Sequence, residues 1–502
     1  MLRMKSLSKK KYEKICKKCD FVLNSYGSRN EIVAINFLHV IRSSATTIQR
    51  YVVFLDNDHW VYSFLRHCYL FIKNIVDFFY NFIYSIFYQK HNFPNKVCKV
   101  DFLFISHYTV TQGKSTYAID SYFGDILNNI HKNGRSSVVA YINHTSSKTA
   151  TFKKIDSVIP ILLSNVINFI DLMHLYKGVF VARRSLGNNS SNDPLLVKVI
   201  KQAKINIFSK STIRNLILAK QVEDIVKKYS PNLLIATYEG HAWERLVFSA
   251  SRSVSPNIRC ISYQHAPVFK FQHAIRRNLE KKYNPDVILT SGQVPATQLS
   301  LSKELSGTQI SVIGSSRNIV LKSKKLTVMQ EFEAFSCLVA PEGDLEECNI
   351  LLFFALDCAN NNQGVNFIWR LPPMIDIDIL LKNNRRFVNL PDNVVISEVD
   401  LLNDILKSNT ILYRGSSVVI QAVVFGLKPI YFKIDNELTI DPLYEISRGR
   451  EIVCNIEDFQ RSLTEKIDMS DKGKLIRYCQ NMYTQIDVDV IEKLSKFNYL
   501  SL

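Results

Sequence analysis

The sequence contains no run of about 18 uncharged apolar residues, the length a helix needs to cross a bilayer. Its most aromatic stretch, Trp60–Tyr88, is interrupted by Arg66, Lys73 and Asp77. It therefore reads as a buried or amphipathic helix pair, or as a helix lying on the inner face of a membrane. The basic start (Lys5, Lys9, Lys10, Lys11, Lys14) is not followed by an apolar core and a cleavage site, so no signal peptide is expected. There is one close cysteine pair, Cys16 and Cys19, and no second pair to complete a zinc site. Scattered thiols of this kind predict a reduced, cytoplasmic protein. The formal net charge of +18 favours anionic partners. With no RNA-binding signature, zinc-finger spacing or long Lys/Arg block, those partners are expected to be phosphorylated substrates or an anionic inner-membrane surface rather than nucleic acid. No Asp-x-Asp pair stands at a strand end, because Asp376-Ile377-Asp378 follows a Pro-Pro turn and reads as a helix start. No metal site is expected, and no repeat of fixed period is present.

What the chain does have is the composition of a globular protein, 47% hydrophobic and 22% charged, which excludes disorder. From Lys99 onward, strand-like runs alternate with helical periodicity. This predicts an α/β fold of two Rossmann-like, doubly wound domains facing a cleft, preceded by a helical extension. The expected divisions are a helical, aromatic-rich extension (1–98), a first α/β domain (99–306), a second (307–455) and closing helices (456–502). Strands are expected at 100–106, 138–143, 157–163, 231–237, 258–264 and 285–290. A second series begins with 309–313 and continues at 335–340, 366–371, 394–397, 410–413 and 429–433. A single helix is expected over 473–493.

Candidate site residues fall where strands end, the mouth of the cleft in such folds. After the 231–237 strand comes Tyr238-Glu239-Gly240-His241-Ala242-Trp243-Glu244. Glu239 stands either as a general base or as a cap of the following helix. Glu244 lies one turn from His241 and is a second candidate acid. Ser262-Tyr263-Gln264-His265 ends another strand with an imidazole that could deprotonate an acceptor or contact a phosphate. In the second domain Glu342 and Gly343 open a helix, where Glu342 could bind a ribose or base hydroxyl and Asp344 could cap. Arg370 ends a strand and suits bidentate phosphate contact. Arg414-Gly415-Ser416-Ser417 is a strand–helix turn. Its glycine, serines, helix N-terminus and arginine suit a phosphate, with an ordinary serine cap as the alternative.

These motifs resemble those of bacterial glycosyltransferases of the GT-B architecture that build surface carbohydrates such as capsule and O-antigen. The similarity is to a surface-carbohydrate biosynthesis group with a YEG-x-x-WE motif, and more distantly to CMP-sugar-dependent sialyl- and Kdo-transferases. Tyr238-Glu239-Gly240 keeps the final acid and glycine of their acidic motif, Leu371-Pro372 stands where they carry His-Pro, and Ser416-Ser417 matches their serine pair. The resemblance implies that Glu239 is the base and that Ser416 and Ser417 bind the donor phosphate. It further implies an inverting, metal-independent transfer from a nucleotide-sugar to a lipid-linked glycan acceptor, without a cofactor, in a cytoplasmic or peripheral membrane protein. The Tyr263-Gln264-His265 segment also resembles the histidine motif of teichoic-acid-type glycerol-phosphate transferases, which implies a CDP-polyol alternative. A non-catalytic glycan-assembly subunit is the third possibility.

Overall fold

In both α/β halves central strands that carry motifs are buried on both faces. Leu233–Thr237 is buried throughout, and Phe335–Ala340 nearly so. Continuous apolar runs of this kind suit a parallel sheet covered by helices on each side. The computed structural model describes residues 7–496 except 42–43, 45–46, 49–50, 53–59, 88–98, 110–119, 121, 146–151, 153–156, 188–191, 319–334, 373–374 and 376. Most of the loop after the first strand, residues 188–191 and the basic linker with Lys322, Lys324 and Lys325 lie outside the described residues.

The described strands form two all-parallel sheets. The first contains β1 (Phe102–Tyr108), β2 (Ser137–Asn143), β3 (Val158–Leu162), β4 (Leu233–Thr237), β5 (Arg259–Gln264), β6 (Val287–Thr290) and β7 (Gln309–Val312), in the order β3-β2-β1-β4-β5-β6-β7. The second contains β8 (Phe335–Ala340), β9 (Val365–Trp369), β10 (Val394–Ile396), β11 (Thr410–Tyr413), β12 (Lys428–Phe432) and β13 (Glu451–Val453), in the order β10-β9-β8-β11-β12-β13. Apart from the extra edge strand β7, both have the doubly wound order expected from the sequence. Gln309–Val312, which the sequence pattern puts at the head of the second series, instead pairs with β6 and completes the first sheet. Alternation divides the first core in two. Leu103 and Ile105 pack with the Lys210–Tyr229 helix on one face, and Phe102 and Phe104 with the Asp125–Lys132 helix on the other.

Helical periodicity runs over 117–132, and the described helix begins at Asp125, because Asp120 Oδ1 accepts from the N–H groups of Tyr122 and Phe123 and holds a turn ahead of it. The single helix expected over 473–493 is two, Met469–Met482 and Asp489–Lys496. The chain between them is drawn onto the first sheet. Thr484 N–H donates to the Ser291 carbonyl (3.0 Å), Ser315 N–H to the Thr484 carbonyl (3.0 Å) and Asp487 N–H to the Ile313 carbonyl (2.8 Å). The Met469–Met482 helix packs against helices of both halves, Gln293–Ser300 and Val418–Val424.

The N-terminal extension belongs to the first core. Asp20 pairs with Arg277 (2.7 Å), Asn215 donates to the Ala34 carbonyl (2.9 Å), and the Tyr12 hydroxyl donates to the Phe271 carbonyl. Trp60–Ile86 is one 27-residue helix rather than a pair. One side packs on the Phe169–Ser185 helix through Phe78 on Tyr176 and Phe82 on Phe169, at ring separations of 4.8 and 5.2 Å. The other side exposes Tyr69, Ile72, Val76, Phe79, Ile83 and Phe87 in a stripe at helical spacing. Among the described residues, no helix is long and apolar enough to cross a membrane.

Candidate functional site

Each sheet reverses its winding once, between β1 and β4 in the first and between β8 and β11 in the second. A crevice opens at the carboxyl ends of the strands flanking such a reversal. In the first sheet it is bordered by His107 and Tyr108 at the end of β1, and by Thr237 through His241 at the end of β4. In the second it is bordered by Pro341-Glu342-Gly343 after β8 and Arg414–Ser417 after β11. All five sequence-derived motifs thus lie beside a switch point or one strand away.

Glu239 sits between two imidazoles. Its Oε2 lies 3.7 Å from His241 Nε2 and its Oε1 lies 3.7 Å from His265 Nε2. The carboxylate is mostly enclosed, with 15% of the side chain exposed. Burial lowers the pKa of His265 to about 4, an effect partly opposed by the nearby Glu239 charge, so His265 is neutral near pH 7. Tyr122 lies edge-on to His265 at 4.9 Å between ring centres. Its hydroxyl is pushed up first by burial and then by Glu239, and is pulled down by Arg317. A carboxylate and a guanidinium therefore bear on the same phenol.

Glu244 does not share the role of base. It is fully buried, and its two oxygens accept from the backbone N–H groups of Glu239 (2.9 and 3.1 Å), Gly240 (2.8 Å) and His241 (2.8 Å). With His241 at the N-cap it completes a capping box, so capping falls to Glu244 rather than to Glu239. Burial raises its pKa to about 7, while His241 and the donated amides pull the other way. Gly240 makes the clamp possible. Its φ is +90°, and a Cβ there would stand 2.4 Å from the Ala274 carbonyl carbon and 2.5 Å from Ile275 N.

In the second half, two cations that the sequence offers for phosphate are already committed. Arg414 is fully buried. It pairs with Glu347 (Nε to Oε2, 2.8 Å) and with Glu437 (Nη1 to Oε1, 2.8 Å), and donates to the Phe432 carbonyl. Burying a guanidinium calls for this neutralisation, which removes it from the cleft. Arg370 Nη1 donates to Asp404 (2.7 Å) and to the Val399 carbonyl (2.9 Å), tying β9 to the Leu401–Leu406 helix. Glu342 is nearly buried and lies over Gly415. That residue has φ +67°, and a Cβ on it would stand 2.7 Å from Glu342 Oε2. A Cβ on Gly343 would meet open space. Asp344 caps the Leu345–Asn361 helix through the N–H groups of Glu346 and Glu347. Ser417 holds the cap position of the Val418–Val424 helix without a side-chain capping bond, and Ser416 is nearly buried beside it.

The sequence does not single out Arg317, three residues beyond Gly314 at the end of β7. Its Nη1 lies 3.4 Å from Ser417 Oγ and 3.5 Å from the Tyr483 hydroxyl, and its field lowers the pKa of His265. Among the described residues no carboxylate pairs with it. Arg317 therefore brings a positive charge from the first half to the serine turn of the second, the charge expected of Arg414 and Arg370. His107 and His144 are also unmarked by sequence. His107 Nδ1 and His144 Nε2 are 2.8 Å apart, and His107 Nε2 meets Thr237 Oγ1 at 3.0 Å. Burial and then His144 lower the pKa of His107. For a metal, the described residues offer one trio, Asp20, His273 and Glu304. Arg277 and His273 already occupy the Asp20 carboxylate there, at 2.7 and 2.6 Å.

No protein-family model matches the sequence, and no curated protein does. Solved structures with a similar fold include the glycosyltransferase SnogD from Streptomyces nogalater, at 13% identity and a TM-score of 0.43, covering 79% of this chain and 98% of that one. The glycotransferase of kitacinnamycin matches at 10% identity and a TM-score of 0.46, covering 79% and 99%. A UDP-GlcNAc 2-epimerase from Neisseria meningitidis, solved with UDP-GlcNAc, matches at 11% and 0.43, covering 79% and 100%. The strand order described above, and not these likenesses, defines this chain as two Rossmann-like units.

Proposed function

We propose that the chain is a nucleotide-sugar-dependent glycosyltransferase in which Glu239 is the general base. The acceptor hydroxyl loses its proton to Glu239 as its oxygen bonds to the anomeric carbon. The bond from that carbon to the nucleotide phosphate breaks, and its electron pair leaves on the phosphate, so the anomeric centre inverts. Arg317, Ser416 and Ser417 take up the charge developing on the phosphate. Fixed donors placed where charge appears stabilise the transition state without having to reorganise, and with Arg317 supplying the cation the scheme needs no metal. The observation that carries the reading is the disposition of Glu239 and Arg317. Glu239 lies 3.7 Å from His265, the charges of Glu239 and Arg317 both act on His265 and Tyr122, and Arg317 also touches the serine turn.

On the resemblance of the motifs, the donor is proposed to be a CMP-activated sugar of the sialic acid or Kdo kind. The acceptor is proposed to be a lipid-linked surface glycan met at the cytoplasmic face of a membrane. The exposed apolar stripe of the Trp60–Ile86 helix supports peripheral attachment there. A second reading, polyol-phosphate transfer from a CDP-polyol, draws on His265 beside Glu239 and is separated by comparing turnover of CMP-sugars and CDP-polyols. The donor site itself is tested by thermal shift with CMP, CDP, UDP and GDP. Binding of one nucleotide raises the melting temperature by linkage, and Arg317→Ala removes the rise. A flat response to all four would contradict the proposal.

A further inference from the structure

Beside the Glu239 loop, and away from the serine turn, the first half contains an open cavity of about 450 Å³. Its walls come from several elements. His107 and His144 stand at the ends of β1 and β2, Trp243 comes from the helix that follows Glu239, and Lys73 projects from the Trp60–Ile86 helix. Lys210 and Arg214 come from the first turns of the Lys210–Tyr229 helix, whose N-terminus opens into the cavity at Ser209 and Ser211. None of the lining residues is an acid. Among the described residues no carboxylate pairs with Lys73, Lys210 or Arg214. Arg214 is held by neutral acceptors, with Nε donating to Asn165 Oδ1 (3.0 Å) and Nη2 to the Asn143 carbonyl (2.9 Å), so its charge is oriented but not cancelled. Three uncompensated cations and a helix N-terminus around one cavity make a place for an anion.

We infer that this cavity is an acceptor subsite that takes an anionic group, a phosphate or a carboxylate, carried by the molecule whose hydroxyl is presented to Glu239. This rests on the glycosyltransferase reading only for the word acceptor; the anion site stands on the cavity itself. His107 and Trp243 line the cavity, and His107 Nε2 also contacts Thr237, two residues before Glu239, so the cavity adjoins the loop that carries the base. The two histidines serve as neutral hydrogen-bonding groups. Their 2.8 Å contact leaves one donating to the other, and burial disfavours the charged form of each. The positive charge comes from Lys73, Lys210 and Arg214. Lys73 also places one wall of the site on the helix that carries the exposed apolar stripe, which suits an acceptor whose anionic group lies next to a lipid.

The test is titration of the full chain with inorganic pyrophosphate in one arm and glucuronate in the other, followed by Trp243 fluorescence, with Trp243→Phe identifying the signal. Lys73 and Lys210 are exposed, so Lys73→Glu and Lys210→Glu spare the fold. Saturable binding in either arm, weakened about tenfold or more by each charge reversal and unchanged by Arg317→Ala, supports the subsite. Preference for pyrophosphate assigns a lipid-linked diphosphate, and preference for glucuronate an acidic sugar. Absence of binding in both arms, or binding lost in Arg317→Ala and kept in the lysine variants, overturns it. Failure of the nucleotide panel would leave this result untouched, so the two proposals fail separately.

Discussion

Arg317, five residues beyond the last strand of the first sheet, places Nη1 3.4 Å from Ser417 Oγ, in the strand–helix turn of the second. This contact joins the two halves of the site. It also explains why two other arginines at strand ends are unneeded for phosphate: Arg414 and Arg370 already neutralise Glu347, Glu437 and Asp404. Removing Arg317 leaves a cleft with serines and no paired charge for a leaving phosphate.

Arg317→Ala is therefore expected to weaken nucleotide binding by about 1.5–3 kcal/mol, roughly tenfold to a hundredfold in Kd. Arg317→Lys restores part of the affinity, because the charge survives and the planar fork does not. Calorimetric titration of the nucleotide that gives the thermal shift measures both. Unchanged affinity in Arg317→Ala would remove the residue from the donor site.

Glu244→Gln separates the clamp from the base. An amide side chain cannot accept equally well from three backbone N–H groups, so urea unfolding should show a loss of about 1–3 kcal/mol. Gly240→Ala should cost at least as much, on the order of 1–3 kcal/mol from the positive φ alone, with the clash against Ala274 and Ile275 added. Glu239→Gln should leave stability nearly unchanged. Equal stability of all three variants with the native chain would contradict the clamp.

The pH response of His265 has a definite sign. Its folded pKa of about 4 lies below its ordinary value of 6.5, so the unfolded chain binds the proton first. Its contribution to stability is present above pH 6.5 and is lost as pH falls towards 4. Glu244, raised to about 7 by burial, works in the opposite direction. The fold retains its proton between 4.5 and 7, and this group costs stability as pH rises through that window. In histidine-labelled NMR the His265 resonance, assigned with His265→Gln, should titrate near pH 4. A midpoint near 6.5 would mean that the ring is not enclosed beside Glu239.

The stripe on the Trp60–Ile86 helix predicts binding to vesicles containing anionic lipid, with an electrostatic part that weakens as salt rises. Burying one phenylalanine or isoleucine is worth about 1.5–3 kcal/mol. Phe79→Asp combined with Ile83→Asp should therefore abolish sedimentation with such vesicles, without altering the packing of Phe78 and Phe82 on the neighbouring helix. Retained sedimentation in the double variant would rule the stripe out as the docking face.

Much of this arrangement is legible in the chain because parallel strands announce themselves. Apolar runs that end in polar residues locate the carboxyl ends of β4, β5, β8, β9 and β11, and hence Glu239, His265, Glu342, Arg370 and Ser416–Ser417. What those residues touch is not legible in the same way. Arg414 and Arg370 look alike from sequence, and only the fold reveals the acids already paired with them. Arg317 gains its meaning from β7 joining the first sheet, a long-range pairing that a charged linker downstream obscures. The His107–His144 pair depends on the register that sets Tyr108 beside Asn143. The Glu244 clamp is hidden because histidine, rather than serine or threonine, occupies the N-cap. The Pro194–Asn206 helix did carry a readable start, Asp193 before Pro194, and Asp193 Oδ1 accepts from the N–H groups of Leu195 and Leu196.

Removal of the acceptor proton by Glu239 is tested by single-turnover transfer with Glu239→Gln. The expected result is a fall in rate of about 10²–10⁴-fold, with the fold and the nucleotide Kd unchanged. Full transfer activity in a folded Glu239→Gln chain would mean that another group takes the proton.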